Sequence, residues 1–335
     1  MKYLLSLFVM LHLVACSDSQ PTLEKLHGYT MGTTYTVQWP RLDNADSNLV
    51  NRLQSETNTL LKRVNQQMST YQKDSELSVF NTMTAPAQMD VSTGLIDVVG
   101  MSLSLNVYTH GYFDISVGPI VNLWGFGPDK MPLTMPTLEQ KRQAKSMMGL
   151  EAIKISNQSI QKTAQRYLDL SAIAKGYAVD KVAELLESNG IANYLVEIGG
   201  EMRVAGEKAE GQAWKVAIEK PDENLRSVQK VFEITDAAMA TSGDYRNFFE
   251  MDGEKFSHSI DPFTAMPVKH SLASVTIIDK SCARADALAT AMLVMGAEKA
   301  KVFAEHNQIK AYLIERVSSG FKEYSSPAFK RWQIM

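Results

Sequence analysis

Only two cysteines, Cys16 and Cys282, occur in 335 residues, so a disulfide framework is excluded as a source of stability. Long apolar runs are missing after the first fourteen residues, and nothing later reads as a membrane-spanning helix. A surplus of positive charge is missing too. The 34 Lys and Arg face 37 Asp and Glu, which removes the electrostatic reason to expect nucleic acid as a partner. The motif inventory is equally bare. His27, His110, His270 and His306 form no HExxH or other close pair, which disfavours zinc. No Walker A loop, no GxGxxG after a strand and no GxSxG elbow is present, so the commonest phosphate-cradling and serine-hydrolase frameworks drop out. Low-complexity linkers and internal repeats are lacking, although length alone would allow about two domains.

What is present begins with an address. Lys2 precedes an apolar run from Tyr3 to Val14, interrupted only by Ser6 and His12. That run is too short to span a bilayer and fits the core of a secretory signal over residues 1–15. Leu13-Val14-Ala15-Cys16 is similar to a bacterial lipobox, in which the cysteine is lipidated and becomes the new N-terminus. An ordinary signal with an incidental cysteine is the alternative. The expected mature protein is therefore lipid-anchored through Cys16 and faces the periplasm, with a tether over 16–25 and one catalytic body over 26–335. Loss of Lys2 leaves it slightly more acidic. A lipidated Cys16 leaves Cys282 as a lone thiol in an Ala-rich segment, expected to be buried and inert.

Periodicity supplies a coarse map. Tyr29–Gln38 reads as a strand, rich in Thr, Tyr and Val. Asn48–Met68, Ser92–Tyr108, Leu138–Met148 and Ala174–Ser188 read as helices, the last stopped by Gly190. Arg166–Leu170 reads as a strand leading into that last helix. Further strands are expected at Tyr194–Ile198, Trp214–Glu219 and Ser271–Ile278. A hairpin is expected from Arg246–Glu250 and Lys255–Ile260 around Asp252-Gly253, and a helix over Ala283–Met295 ended by Gly296. Gly127–Pro136 is expected to be a surface loop. Strands and helices mix without strict alternation, which predicts an α+β fold of largely antiparallel sheets packed with helices.

Three segments could carry chemistry. On the last helix, Asp286 and Thr290 are four apart and share a face, opposite the core stripe Leu288, Met292 and Met295. A hard cation could be held by those oxygens. So could the simpler arrangement of an Asp favoured by the helix dipole and a Thr bonded back to the backbone. The run Asp169-Leu170-Ser171-Ala172-Ile173-Ala174-Lys175-Gly176 turns through small residues into a helix start. It could cradle an anion on backbone N–H groups and Lys175, or be an ordinary turn. His258, at a strand end before Pro262, could be a general base, a phosphate contact or a structural histidine.

In combination and in order, the segments resemble the ApbE family of FAD:protein FMN transferases. The landmarks are Met31-Gly32-Thr33, Gly111 to Pro119, Asn122 to Phe126, Asp169 to Ala178, Glu197 to Glu201, Thr241 to Tyr245, His258 to Pro262 and Ala285 to Thr290. The resemblance implies an ApbE-like (T-fold-like) single body. It implies Mg²⁺ held by Asp286, Thr290 and the Ala172 carbonyl, and FAD contacted by Met31, Tyr71, Tyr112, Phe113, Asp114, Asp169, Lys175 and Ile260. One departure is Phe263-Thr264-Ala265, where many members have Gly at the third position; only turn geometry is expected to change.

The resemblance also implies a reaction. FAD is cut at its pyrophosphate and FMN passes to a Ser or Thr of an acceptor flavoprotein, with AMP released. His258 is the leading candidate for the base and Asp244 the second. The acceptors implied are subunits of membrane redox complexes of the sodium-translocating NADH:quinone oxidoreductase type. Two alternatives share the site: an FAD pyrophosphatase yielding FMN and AMP, and a flavin-binding lipoprotein without chemistry.

Overall fold

The computed structural model describes residues 22–333, apart from 43–45, 129–133, 209–210, 222–226, 246–247 and 252. The expected signal segment, Cys16 and half of the loop 127–136 lie outside the described residues. Among those described, no helix is long and apolar enough to cross a membrane.

The chain opens with β1 (Leu23–Thr30), β2 (Thr33–Pro40), α1 (Leu49–Met68) and α2 (Glu76–Thr82). Next come β3 (Ala87–Asp90), α3 (Thr93–Tyr108), α4 (Gly118–Leu123) and α5 (Leu138–Ser146). The middle holds β4 (Ile153–Ser156), β5 (Ser159–Lys162), α6 (Ala174–Ser188), β6 (Tyr194–Ile198) and β7 (Glu201–Ala205). Then follow β8 (Trp214–Glu219), β9 (Val228–Ile234), β10 (Ala237–Gly243), β11 (Phe248–Met251) and β12 (Glu254–Ser257). The chain closes with β13 (Ile260–Asp261), β14 (Met266–Pro267), β15 (Leu272–Asp279), α7 (Cys282–Met295), α8 (Ala297–His306), β16 (Lys310–Val317), β17 (Gly320–Ser325) and α9 (Pro327–Trp332).

One eight-stranded sheet, ordered β1-β2-β6-β7-β10-β15-β16-β17, organises the body. All of its neighbours pair antiparallel, so the expected α+β class holds. One face is covered by α1, α3, α6, α7 and α8 in the main core; the other carries the β8–β9 hairpin and α9 over a second core. A third, smaller core gathers Trp124, Phe249, Phe256 and Ile260 beneath the β11–β12 hairpin. Strand β15 is buried along nearly its whole length, as a central strand covered on both faces must be.

Local chemistry explains the main boundaries. Ser92 caps α3, Thr137 and Gln140 form a capping box on α5, and Ser281 caps α7, each satisfying N–H groups that the first helical turn leaves open. Gly190 follows α6 at φ 78°.

Four expectations change. The single strand Tyr29–Gln38 is two strands folded back at Met31-Gly32, with φ 49° and 72°; consecutive positive φ values make the tight turn that matches strand twist. Arg166–Leu170 joins no ladder. Asn81 brackets Leu168 by accepting from its N–H and donating to its carbonyl, both at 2.8 Å. A side chain thus satisfies backbone groups that a neighbouring strand would otherwise serve. The hairpin strand ends at Ser257, which leaves His258 in the bend after it. Finally, α7 has no polar face: every residue but Arg284 and Thr290 is buried. Five alternating alanines, from Ala283 to Ala291, let the sheet and α6 approach it from both sides.

Candidate active site

The site is built where α6 and α7 cross. Asp286 is 3% exposed; its Oδ2 accepts from the Gly176 N–H at 3.1 Å, and its Oδ1 lies 4.0 Å from Lys175 Nζ. Lys175 donates to Glu201 Oε1 at 2.6 Å. The second oxygen of Glu201 is buried without a protein partner. One ammonium therefore serves two buried carboxylates, and lone pairs are left over. Burial raises the pKa of Asp286, against the pull of Lys175 and the Gly176 N–H. Burial likewise pushes Glu201 up to about 7, opposed by Lys175 and reinforced by Asp286. Burial disfavours the charge on Lys175, but the two carboxylates more than offset this and hold its pKa above the ordinary value.

One turn along α7, the Thr290 hydroxyl lies 3.0 Å from the Ser242 hydroxyl at the end of β10. The crossing thus gathers the oxygens of the Asp286 carboxylate and the Thr290 hydroxyl beside the Lys175 ammonium, and Ala172 sits in the turn two residues before α6. Unpaired buried carboxylate oxygen costs folding free energy, and a hard divalent cation is what such a set accepts. These residues fit Mg²⁺. Among the described residues no group of three or more His, Cys, Asp or Glu side chains is arranged for a metal, so an ion here would share its coordination with substrate and water, as magnesium commonly does.

The turn entering α6 is organised by Asp169, which accepts from the N–H of Ser171 at 2.8 Å and from its hydroxyl. Asp114 makes the same turn with Ser116, accepting from N–H at 2.7 Å and Oγ at 2.6 Å. A bond from the Asp169 N–H to the Ile115 carbonyl, 2.7 Å long, ties the two turns together. Burial raises the pKa of Asp114. Tyr71 is 64% exposed, yet its pKa is raised by partial burial and by the nearby Asp169 charge. Its hydroxyl donates to the Phe126 carbonyl at 3.1 Å, and the Phe126 ring meets His258 edge-on at 6.3 Å between centroids. Asp114, Asp169, Tyr71 and His258 are thereby linked in space, although 144 positions separate the first from the last.

Other expected residues sit differently. Phe113 is 2% exposed and belongs to the main core; Ile260 packs into the third core. Neither side chain is open to a ligand. Lys175 is held by Glu201 rather than free to meet a phosphate. Asp244 accepts from both terminal nitrogens of Arg316 at 2.7 Å. A bidentate pair of that kind occupies both carboxylate oxygens. Met31 sits strained at the β1–β2 turn, where positive φ is costly for a residue with a Cβ. Tyr112 packs edge-on against Phe263, takes a 2.6 Å bond from Lys299, and lines a cavity of about 630 Å³ with Asp261, Met266, His270 and Val294. Val294 is one turn beyond Thr290 on α7. In the departing segment Ala265 has φ 56°, the conformation that Gly adopts without cost.

Sequence reasoning assigned no role to Glu201, Ser242 or Asp180. Glu201 carried a weak signal: a carboxylate opening a strand right after Gly199-Gly200. Ser242 and Asp180 carried none, because the Ser242 partner is 48 positions away and those of Asp180 are 23 to 103 away.

The chain was compared with known proteins. The ApbE family model matches residues 31–313. The FAD:protein FMN transferase of Vibrio cholerae is 47% identical over 331 residues, covering 98% of each chain. That of Escherichia coli is 39% identical over 337 residues, covering 97% of this chain and 95% of its own. The solved flavin transferase ApbE of Vibrio cholerae superposes with a TM-score of 0.85 at 47% identity, over 93% of this chain and 99% of that one. The apo flavinyl transferase ApbE of Pseudomonas stutzeri gives 0.86 at 37% identity, over 94% and 98%. With a family match spanning the whole body from the Met31 turn to β16, and relatives alike from end to end, the chain belongs to the ApbE family.

Proposed function

We infer that the chain is an FAD:protein FMN transferase. The acceptor's Ser or Thr oxygen attacks the FMN-side phosphorus of FAD, the bond to the bridging oxygen breaks, and AMP leaves with that oxygen. The observation that carries this reading is the buried Asp286 beside the unpartnered Glu201 oxygen, with Thr290 one turn away, within a family-wide match. Asp286, Thr290 and the Ala172 carbonyl would hold Mg²⁺. When bound, the ion supplies neutralisation of the pyrophosphate and of the charge that develops on the departing AMP. Lys175 and Glu201 keep the Asp286 carboxylate in place. Asp114, Asp169 and Tyr71 form the wall that receives FAD, with Met31 above it and Tyr112 beside the neighbouring cavity; Phe113 and Ile260 support that wall from behind. His258 accepts the proton of the attacking hydroxyl, and Asp244 orients the end of β10 through Arg316.

The N-terminal segment supports export and lipid attachment at Cys16, with the catalytic body facing the periplasm. The acceptors that fit this location are flavoprotein subunits of membrane redox complexes, such as the sodium-translocating NADH:quinone oxidoreductase, with their acceptor hydroxyl on the same side. Incubation with FAD, Mg²⁺ and such a subunit tests the function. Flavin fluorescence in the denatured acceptor band, lost with EDTA, is expected. A dark band with free FMN and AMP would instead mark a pyrophosphatase, and intact FAD a binding protein.

A further inference from the structure

The α6–α7 crossing is reciprocal. At its centre Gly176 faces Cys282 so closely that a Cβ at 176 would lie 2.4 Å from the Cys282 carbonyl oxygen. Asp286, four residues past Cys282, reaches back to the Gly176 N–H near the start of α6. Asp180, four residues past Gly176, reaches forward to the start of α7. Its Oδ1 accepts from the Cys282 N–H at 3.0 Å, and its Oδ2 accepts from the Ala283 N–H at 3.0 Å and the Ser281 hydroxyl at 2.8 Å. Arg203, on β7, donates to Oδ1 at 3.2 Å. Each helix thus lends a carboxylate to the N-terminus of the other, where open N–H groups and the dipole favour negative charge.

The two loans are unequal in number. Asp180 makes four bonds, one from each of four donors, and Asp286 makes one, of 3.1 Å. We propose that Asp180 is the positioning residue of the cation site: it fixes the height and rotation of α7 against the 171–173 turn, so that Asp286 need not. An Asp286 that also had to anchor α7 would spend lone pairs on the fold that the ion requires. With Asp180 holding the helix, Asp286, Thr290 and the Ala172 carbonyl arrive in register. The inference rests on the cation reading above.

The test measures metal binding directly. Mn²⁺, a paramagnetic substitute for Mg²⁺, is titrated into the FAD-loaded protein and free Mn²⁺ is followed by electron paramagnetic resonance. Asp180→Asn puts an amide N–H against donors on one side of the carboxylate. It should raise the half-saturating Mn²⁺ concentration on the order of tenfold, as loss of an orienting outer partner does, and raise the KM for Mg²⁺ in transfer more than it lowers kcat. Leu186→Ala, a core truncation on the same helix, is the control: it should lower the melting temperature and leave Mn²⁺ binding unchanged. Should Asp180→Asn fail to fold, Ser281→Ala removes one of the four bonds and must shift Mn²⁺ binding in the same direction by less. Unchanged Mn²⁺ binding in the Asp180 or, in its place, the Ser281 variant overturns the inference, as does an equal shift in Leu186→Ala. A wild-type protein that binds no Mn²⁺ overturns the cation reading and this inference together, whereas normal wild-type binding with an unaffected Asp180→Asn overturns this inference alone.

Discussion

Asp180 and Asp286 lie at the two ends of one helix crossing, both buried and both aimed at a helix N-terminus, and the fold treats them in opposite ways. Asp180 is saturated: four donors meet its two oxygens, about the number of lone-pair sites that a carboxylate offers. Asp286 has one hydrogen bond, of 3.1 Å, and its neighbour Glu201 has an oxygen with no protein partner. A buried acid with every lone pair filled stiffens its surroundings. One buried without enough donors costs stability, and persists because something outside the fold fills it. On the proposed reading, the saturated cluster is scaffold and the unsaturated one is site.

The sharpest way to break that comparison is Asp286→Ala. Transfer of FMN to an acceptor should fall on the order of a thousandfold, the scale of losing a fixed charge-stabilising element. The melting temperature should hold or rise, because a desolvated charge is removed and Lys175 keeps Glu201. A drop of several degrees would make Asp286 scaffold after all. Gly176→Ala strikes both clusters at once. Its Cβ would collide with backbone rather than a flexible side chain, so the helices must part. Urea unfolding should show a loss of about 1–3 kcal/mol, the usual scale of overpacking, accompanied by weaker cation binding.

A third prediction uses pH. Burial places the Glu201 pKa near 7 in the folded protein, against 4.5 for the free group. The folded state therefore binds a proton more tightly than the unfolded state between those values. Stability is fully present below about 4.5 and is lost as pH rises through 7. The cation-free protein should melt progressively lower from pH 5 to 8, and Glu201→Gln should flatten that slope. Saturating Mg²⁺ with FAD should oppose the loss by binding the folded state alone. An identical slope in Glu201→Gln would mean that the unpaired oxygen is not where the cost lies.

Much of this was legible in the sequence, and the rest was hidden for physical reasons. Helices α1, α3 and α6 and strands β6 and β8 follow from local periodicity and caps, so their boundaries are close to those expected. Residues 166–170 look like a strand because Tyr167 and Leu168 favour extended backbone, but the groups that satisfy that backbone, Asn81 and Ile115, are distant in sequence. Helix α7 misled in the other direction. A helix buried on every side has no stripe to reveal its orientation, so Leu288 and Met292 could not mark a unique core face. The order of motifs located the Asp286 and Thr290 pair, while its state, one ammonium shared between two carboxylates, depended on Glu201 arriving from β7. Phe113, Ile260 and Asp244 stand in their motifs, but their burial and pairing depend on partners that the motifs do not contain.

The smallest expected effect concerns Ser242. If the Thr290 oxygen is to offer a lone pair to a cation, its proton must point elsewhere, and the Ser242 hydroxyl at 3.0 Å is the acceptor at hand. Ser242 then extends the site by one shell without touching the ion, much as hydrogen-bonded partners orient metal ligands generally. Ser242→Ala frees the Thr290 hydroxyl to rotate. It should weaken Mg²⁺ dependence about two- to tenfold and change stability by less than about 1 kcal/mol, since a half-exposed hydroxyl pair contributes little. Direction of action can be isolated by a double-mutant cycle. Thr290→Val should cost far more than Ser242→Ala, and adding Ser242→Ala to Thr290→Val should cost nothing further. If the two losses simply add, Ser242 acts on something other than Thr290, and the boundary between scaffold and site has to be redrawn at the end of β10.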